Sequence, residues 1–224
     1  MLRDRPRMRF IFIGDSECGK SSIILRFYRN TFSEDYDPTR LDFFHKVVTI
    51  VDKRDDSQEE VDLEIWDIPG NVEWEPLQQL HYLAWDAIFL CYDVNNVRSF
   101  NKARTEWITQ IRQHARDVPV ILVGTKTDQR LGASLWAPGL DMANRVSPTE
   151  GAITATSLNA AKYVECSAKT TQGITGVFEE GVEAVFVRRN GPPAPPFVES
   201  FDEERRIRHL SKGFAHVLCI KGDN

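Results

Sequence analysis

The chain has 224 residues, of which 42% are hydrophobic and 27% charged, and its formal net charge is -5 at pH 7. That length fits one well-filled domain with tails rather than two domains, and the acidic balance excludes nonspecific binding to a nucleic acid polymer as a working idea, so affinity for phosphate must come from a local site. The 4 cysteines, Cys18, Cys91, Cys166 and Cys219, lack disulfide or metal spacing, and the sequence shows neither a secretion signal nor a run of roughly 20 apolar residues, so the expected setting is the reducing cytoplasm.

Residues 1–7 carry Arg3, Arg5 and Arg7 around Pro6 and read as a flexible basic arm. Arg9-Phe10-Ile11-Phe12-Ile13 is then a short apolar strand that breaks into a loop, Gly14-Asp15-Ser16-Glu17-Cys18-Gly19-Lys20-Ser21-Ser22. A helical pattern follows through Ile23, Ile24 and Phe27 to about Asn30. Gly14-x-x-x-x-Gly19-Lys20-Ser21, in the order strand, loop, helix, turns backbone N–H groups and a helix N-terminus toward a polyphosphate. Lys20 adds a positive charge for the outer phosphates, and the Ser21 hydroxyl suits the magnesium ion that bridges them. Taken alone, the stretch also fits an ordinary glycine turn ahead of a helix.

Residues 31–40, polar and containing Pro38, read as an ordered loop. Val47–Val51 and Val61–Trp66 are two strands joined by a charged hairpin turn over 52–60, and are therefore antiparallel. The second strand runs into Asp67-Ile68-Pro69-Gly70, where the carboxylate can hold magnesium through water and the glycine can offer an amide to a terminal phosphate. Residues 71–81 read as a loop leading into a short helix with Trp74 and Leu77. Ala87–Val94 is a strand buried on both faces, and Ser99–Ala115 a helix with Ala103, Trp107 and Ile111 turned to the core.

Pro119–Gly124 is a further strand, followed at once by Thr125-Lys126-Thr127-Asp128. In an open parallel sheet ligands bind beyond the carboxyl ends of the strands, which is where this segment and the phosphate loop both lie. A buried Asp128 there can accept two hydrogen bonds from the N1 and N2 edge of guanine, a donor pair that adenine lacks. Residues 129–146 are an irregular connection, in which Leu135, Trp136 and Leu140 either form a partner patch or fold back onto the domain. Ser147-Pro148-Thr149-Glu150 has cap, proline and glutamate in capping-box positions, opening a helix to about Asn159. Tyr163–Cys166 is the last strand, and Ser167-Ala168-Lys169 leaves it where backbone amides can bind the guanine carbonyl. Ile174, Val177, Phe178, Val182, Val185 and Phe186 mark a final helix packed on the sheet. The proline-rich run over 191–196 ends the domain, and 197–224 read as a flexible tail with a short helix around 203–210.

Together these motifs resemble the Ras superfamily of small GTP-binding proteins over roughly residues 8–190, and Thr125-Lys126-x-Asp128, Glu165-Cys166-Ser167-Ala168-Lys169-Thr170 and the extra segment after Asp128 resemble its Rho branch. The resemblance implies an α/β P-loop G domain: a six-stranded, mostly parallel sheet with one antiparallel edge strand and helices on both faces. It implies GTP or GDP with Mg2+ as ligands, and contacts to the nucleotide from residues 14–22. It further implies that Ser21, Thr39 and Asp67 hold the metal, with Gly70 beside the terminal phosphate, Phe32 on the guanine face, Lys126 along base and ribose, and Thr125, Asp128, Ser167, Ala168 and Lys169 around the base. Its partners are effectors, exchange factors and GTPase-activating proteins that meet the two switch loops, and the protein itself is expected to be a monomer.

Three departures stand out. Ser16 falls where the family has a glycine that leaves room for the attacking water and an inserted arginine, and Asn71 where it has a glutamine that orients that water. Of the catalytic set Lys20, Thr39 and Asn71, the last is therefore a methylene too short, and slow hydrolysis is expected. Third, Cys219 lies too far from the end, among charged residues, to fit a prenylation box, so a peripheral membrane role is left without its usual anchor. A GTP-locked binding or scaffold module is the competing reading. An ATP-using kinase with the same loop is disfavoured by Asp128 and the Ser167-Ala168 pair.

Overall fold

The computed structural model describes residues 5–34, 41–51, 58–70, 84–132 and 144–190. In chain order these form β1 (Arg7–Ile13), α1 (Lys20–Arg29), β2 (Asp42–Val51), β3 (Gln58–Asp67), β4 (Ala87–Asp93), α2 (Val97–Lys102), a π-helical stretch (Ala103–Trp107), α3 (Ile108–His114), β5 (Val120–Thr125), α4 (Asp128–Gly132), α5 (Pro148–Ser157), β6 (Lys162–Glu165) and α6 (Ile174–Asn190). The sheet runs β2-β3-β1-β4-β5-β6. Only the β2–β3 pair is antiparallel, with Asp42 opposite Asp67 and Val51 opposite Gln58; β1 pairs parallel with both β3 and β4, and β5 parallel with both β4 and β6. This is the expected doubly covered sheet with one antiparallel edge.

Burial follows from position in that order. β4 and β5 lie inside the sheet and bury every residue, which is why they read as unbroken apolar runs. β1 alternates at its start, sending Met8, Phe10 and Phe12 into the layer covered by α1 and α6, and Ile11 and Ile13 into the layer under α2 and α3. In the first layer Phe12 stacks on Phe89 with centroids 4.5 Å apart, and Phe27 of α1 stacks on Phe178 of α6 at 3.6 Å. The two clusters clamp the sheet from both faces and fix the carboxyl ends of β1, β3, β4, β5 and β6 at one rim.

Several local expectations are refined. The basic arm is shorter than residues 1–7: Arg7 belongs to β1, the Pro6 carbonyl accepts from the Asp62 N–H, and Arg5 pairs with Glu60 at 2.7 Å. β2 and β3 extend well past the apolar stretches that announced them, because this edge hairpin satisfies its backbone ladder while leaving polar side chains in water. The connection over 129–146 is not irregular throughout: it opens within the single helical turns of α4, and Val146 is buried with its N–H on the Val94 carbonyl. The capping box at α5 forms as read, with the Glu150 N–H donating to Ser147 Oγ and the Ser147 N–H to Glu150 Oε2. The expectations for the turn over 52–57, the segment 71–81, the patch of Leu135, Trp136 and Leu140, Cys219 and the tail helix lie outside the described residues.

Candidate functional site

At the rim, the phosphate loop owes its shape to its two glycines. Gly14 has φ 146° and packs so closely on the Cys91 carbonyl that a Cβ would overlap it. Gly19 has φ 94° and caps α1 without any side-chain acceptor, so the first N–H groups of the helix are left for a ligand. Lys20, 5% exposed, curls back over the loop and donates from Nζ to the carbonyls of Gly14 (2.8 Å) and Asp15 (2.7 Å). Its charge is thus held against the loop's carbonyls beside the uncapped N-terminus of α1, a pairing of positive charge and free N–H groups that favours an anion. Cys18 is buried, and burial pushes its thiol pKa up, so it serves as a core residue rather than a reactive thiol.

Asp67 ends β3 facing this loop and is 2% exposed. The Ser21 hydroxyl hydrogen-bonds its carboxylate, yet Oδ1 is buried with no hydrogen-bond partner among the described residues. An orphaned carboxylate oxygen beside a serine hydroxyl is a hard-oxygen donor set that fits Mg2+. No cluster of three His, Cys, Asp or Glu side chains exists among the described residues, so phosphate oxygens and water must complete such an ion's shell. Burial, assisted by Asp42 and opposed by Ser21 and Lys20, pushes the Asp67 pKa up to about 6. The folded protein without ligands therefore holds a proton that the unfolded chain releases, and its stability falls as pH rises from about 4 to about 6. The loss amounts to about 3 kcal/mol over two pH units. Urea unfolding of ligand-free protein across pH 4–7 measures this slope, and Asp67→Asn is expected to flatten it.

Gly70 lies directly against the backbone of Asp15 and Ser16, with no room for a Cβ. The segment after β3 and the phosphate loop thus share one contact surface, on which the Ser16 side chain stands exposed. Glu17 next to it is also exposed and sits at φ 62°, a left-handed conformation unusual for a residue with a Cβ. No cation pairs with its carboxylate among the described residues. Glu17→Gly is expected to tighten GTP binding about three- to tenfold by removing an uncompensated negative charge from a phosphate cradle, as titration of the purified protein would show.

At the other end of the rim, Ser167 is fully buried and donates from Oγ to Asp128 Oδ1 at 2.6 Å, while its Oγ accepts the Thr170 N–H. Asp128 is half-buried rather than buried, because it begins α4 at the mouth of the site, open to a ligand's edge. Thr125 joins the two halves of the site: its Oγ1 donates to the Cys18 carbonyl at 2.5 Å and lies 3.1 Å from that of Tyr92. Lys126, at φ 59°, passes its stem near Gly19 and pairs Nζ with Asp93 at 3.0 Å, so its aliphatic stem rather than its charge is left as a flat face for a base. Phe32 is 37% exposed, with the Arg26 guanidinium 5.8 Å from its ring centroid.

Four ties around the site escape sequence reasoning. Arg26 donates from Nε to the Ala168 carbonyl at 2.7 Å, tying α1 to the base loop, and Lys169 pairs with Glu34 at 2.6 Å. Arg130 forms a bidentate pair with Glu165 at 2.6 and 2.9 Å, bracing α4 against β6. Asp93 pins Lys126. Only Asp93, at a strand's carboxyl end, carried a signal in the sequence. Gly14, Asp15, Ser16, Glu17, Cys18, Gly19, Lys20, Ser21, Asp67 and Gly70 gather at one end of the rim, and Thr125, Lys126, Asp128, Ser167, Ala168 and Lys169 at the other. Thr39 and Asn71 lie outside the described residues.

The model of the Ras family matches residues 9–187. The Ras-like GTP-binding protein RhoL of Drosophila melanogaster is 35% identical over 181 residues, 81% of this chain and 87% of that protein. GTP-binding protein RHO1 of Candida albicans is 32% identical over 179 residues, 80% and 87% of the two chains. GTP-binding protein RHO2 of Saccharomyces cerevisiae is 35% identical over 195 residues, 87% and 97%.

Proposed function

The chain belongs to the Ras family, as one of its Rho-like small GTPases, and from that premise we propose that it binds GTP and GDP with Mg2+, hydrolyses GTP slowly and engages effectors in the triphosphate state. The observation that carries this reading is the unpartnered Oδ1 of buried Asp67, placed with Ser21 and Lys20 at the head of α1. A buried carboxylate oxygen left without a partner is costly, and a cation bound with a polyphosphate would remove that cost.

Ser21 and Asp67, with Thr39, are assigned the metal, which when bound would neutralise charge on the outer phosphates and orient them. Lys20 draws charge toward the terminal phosphate, and the exposed α1 amides cradle the phosphates. Asp128 reads the guanine edge in the orientation that Ser167 fixes. Gly70, abutting Asp15 and Ser16, must shift when a third phosphate arrives, which couples the nucleotide to the segment that effectors, exchange factors and GTPase-activating proteins would meet.

Ser16 and Asn71 support slow turnover, since the first crowds the terminal phosphate and the second falls short of the attacking water. The proposal includes a cytoplasmic monomer, as the sequence leads one to expect. Among the described residues no helix is long and apolar enough to cross a membrane. The nucleotide carried by protein purified from cells tests the reading. GTP retained with Mg2+ supports slow hydrolysis, bound GDP supports an ordinary cycle, and no measurable affinity for either with or without Mg2+ would sink it.

A further inference from the structure

Asp15 carries its carboxylate within the phosphate loop itself, a place where negative charge opposes a polyphosphate. Its side chain is 16% exposed and does not face solvent alone: Trp107 Nε1 donates to Oδ1 at 2.9 Å, and Lys102 Nζ lies 3.4 Å from both Oδ1 and Oδ2. Both partners come from the helix that follows β4, more than 80 residues along the chain. That helix is interrupted between them, where the Ile108 N–H reaches back to the Ala103 carbonyl in a π-type bond. A π turn adds one residue and rotates the downstream turns by roughly 100° relative to an unbroken α-helix. The interruption brings Lys102 and the 9% exposed Trp107 to one carboxylate. The same residue's carbonyl accepts Lys20 Nζ, and its backbone abuts Gly70.

We propose that Lys102 and Trp107 are positioning residues for the terminal phosphate: they neutralise and hold Asp15, so that the loop accepts a triphosphate without repulsion from its own carboxylate. The inference rests on reading the loop as a polyphosphate site. Glu17 shows the contrast, since it stands on the same loop with no cation beside it among the described residues. Charge repulsion grows with phosphate number, so loss of the Lys102 charge weakens GTP more than GDP. A purely architectural tie between helix and loop has no reason to distinguish the two nucleotides.

The test is direct titration of the full chain with GTP and with GDP, each with Mg2+, for wild type, Lys102→Met, Trp107→Phe, Asp15→Asn and Asp15→Asn combined with Lys102→Met. Lys102→Met keeps the stem and removes the charge, and Trp107→Phe keeps the ring and removes the donor. The expected result is a GTP-to-GDP affinity ratio lowered about three- to tenfold by Lys102→Met, a smaller drop with Trp107→Phe, and an effect that shrinks toward molar salt. In the Asp15→Asn background, Lys102→Met is expected to leave the ratio unchanged, and Lys102→Arg restores it in the native background. An unchanged ratio with Lys102→Met, equal losses for both nucleotides, or a loss that persists with Asp15→Asn overturns the inference while leaving the site's reading intact. Failure of the wild type to bind either nucleotide overturns both.

Discussion

Asp128→Ala is expected to weaken GTP and GDP about 10²- to 10⁴-fold while leaving the fold intact. The estimate follows from two hydrogen bonds between an ionised carboxylate and the N1 and N2 edge of guanine, each worth about 1.5–3 kcal/mol, at about 1.4 kcal/mol per decade. The geometry supports a large effect because Ser167 Oγ fixes Oδ1 at 2.6 Å and α4 presents the group at the mouth of the site. Removing the carboxylate also erases the basis for rejecting adenine, so the variant is expected to bind GTP and ATP with similar low affinity. Competition titrations with labelled GTP measure this directly. A variant that still prefers GTP over ATP by a hundredfold shows that Asp128 does not read the base.

Ser16→Gly combined with Asn71→Gln is expected to raise single-turnover GTP hydrolysis about 10²-fold over the native protein. The basis is positional: a reacting group displaced by roughly 1 Å costs about two decades. The Ser16 side chain stands exposed beside the surface where Gly70 meets the loop, and the proposed reading puts the attacking water and an inserted arginine on that side. Sensitivity to an arginine-supplying activator, worth about 10³–10⁵ where the site admits it, is expected to appear only in the double variant. Loss of the terminal phosphate by the native protein at the rate of the double variant refutes slow turnover.

The readable features of this molecule were local ones. Glycine spacing around Lys20, the capping box at Ser147 and the apolar runs of β4 and β5 each state a backbone conformation or a buried face within a few residues, and the structure carries each of them. The β2–β3 hairpin was underestimated because an edge pair tolerates Asp42, His45 and Glu59 in the ladder, which erases the alternation that marks a half-buried strand. The π stretch left no trace in the pattern, since its residues read as one continuous helix.

From its order of residues alone, the chain determined the phosphate loop, the strand and helix sequence, and the segments that must gather at one rim, because parallel strands separated by helices leave little topological choice. Only the folded structure decided which side chains meet there. The Ser21 hydroxyl on the Asp67 carboxylate, the Arg26 tie to Ala168 and the Lys102 and Trp107 pair on Asp15 join elements distant in the chain. Such contacts depend on sheet order and on the rotation of each helix, and a sequence records those only through the whole fold it builds.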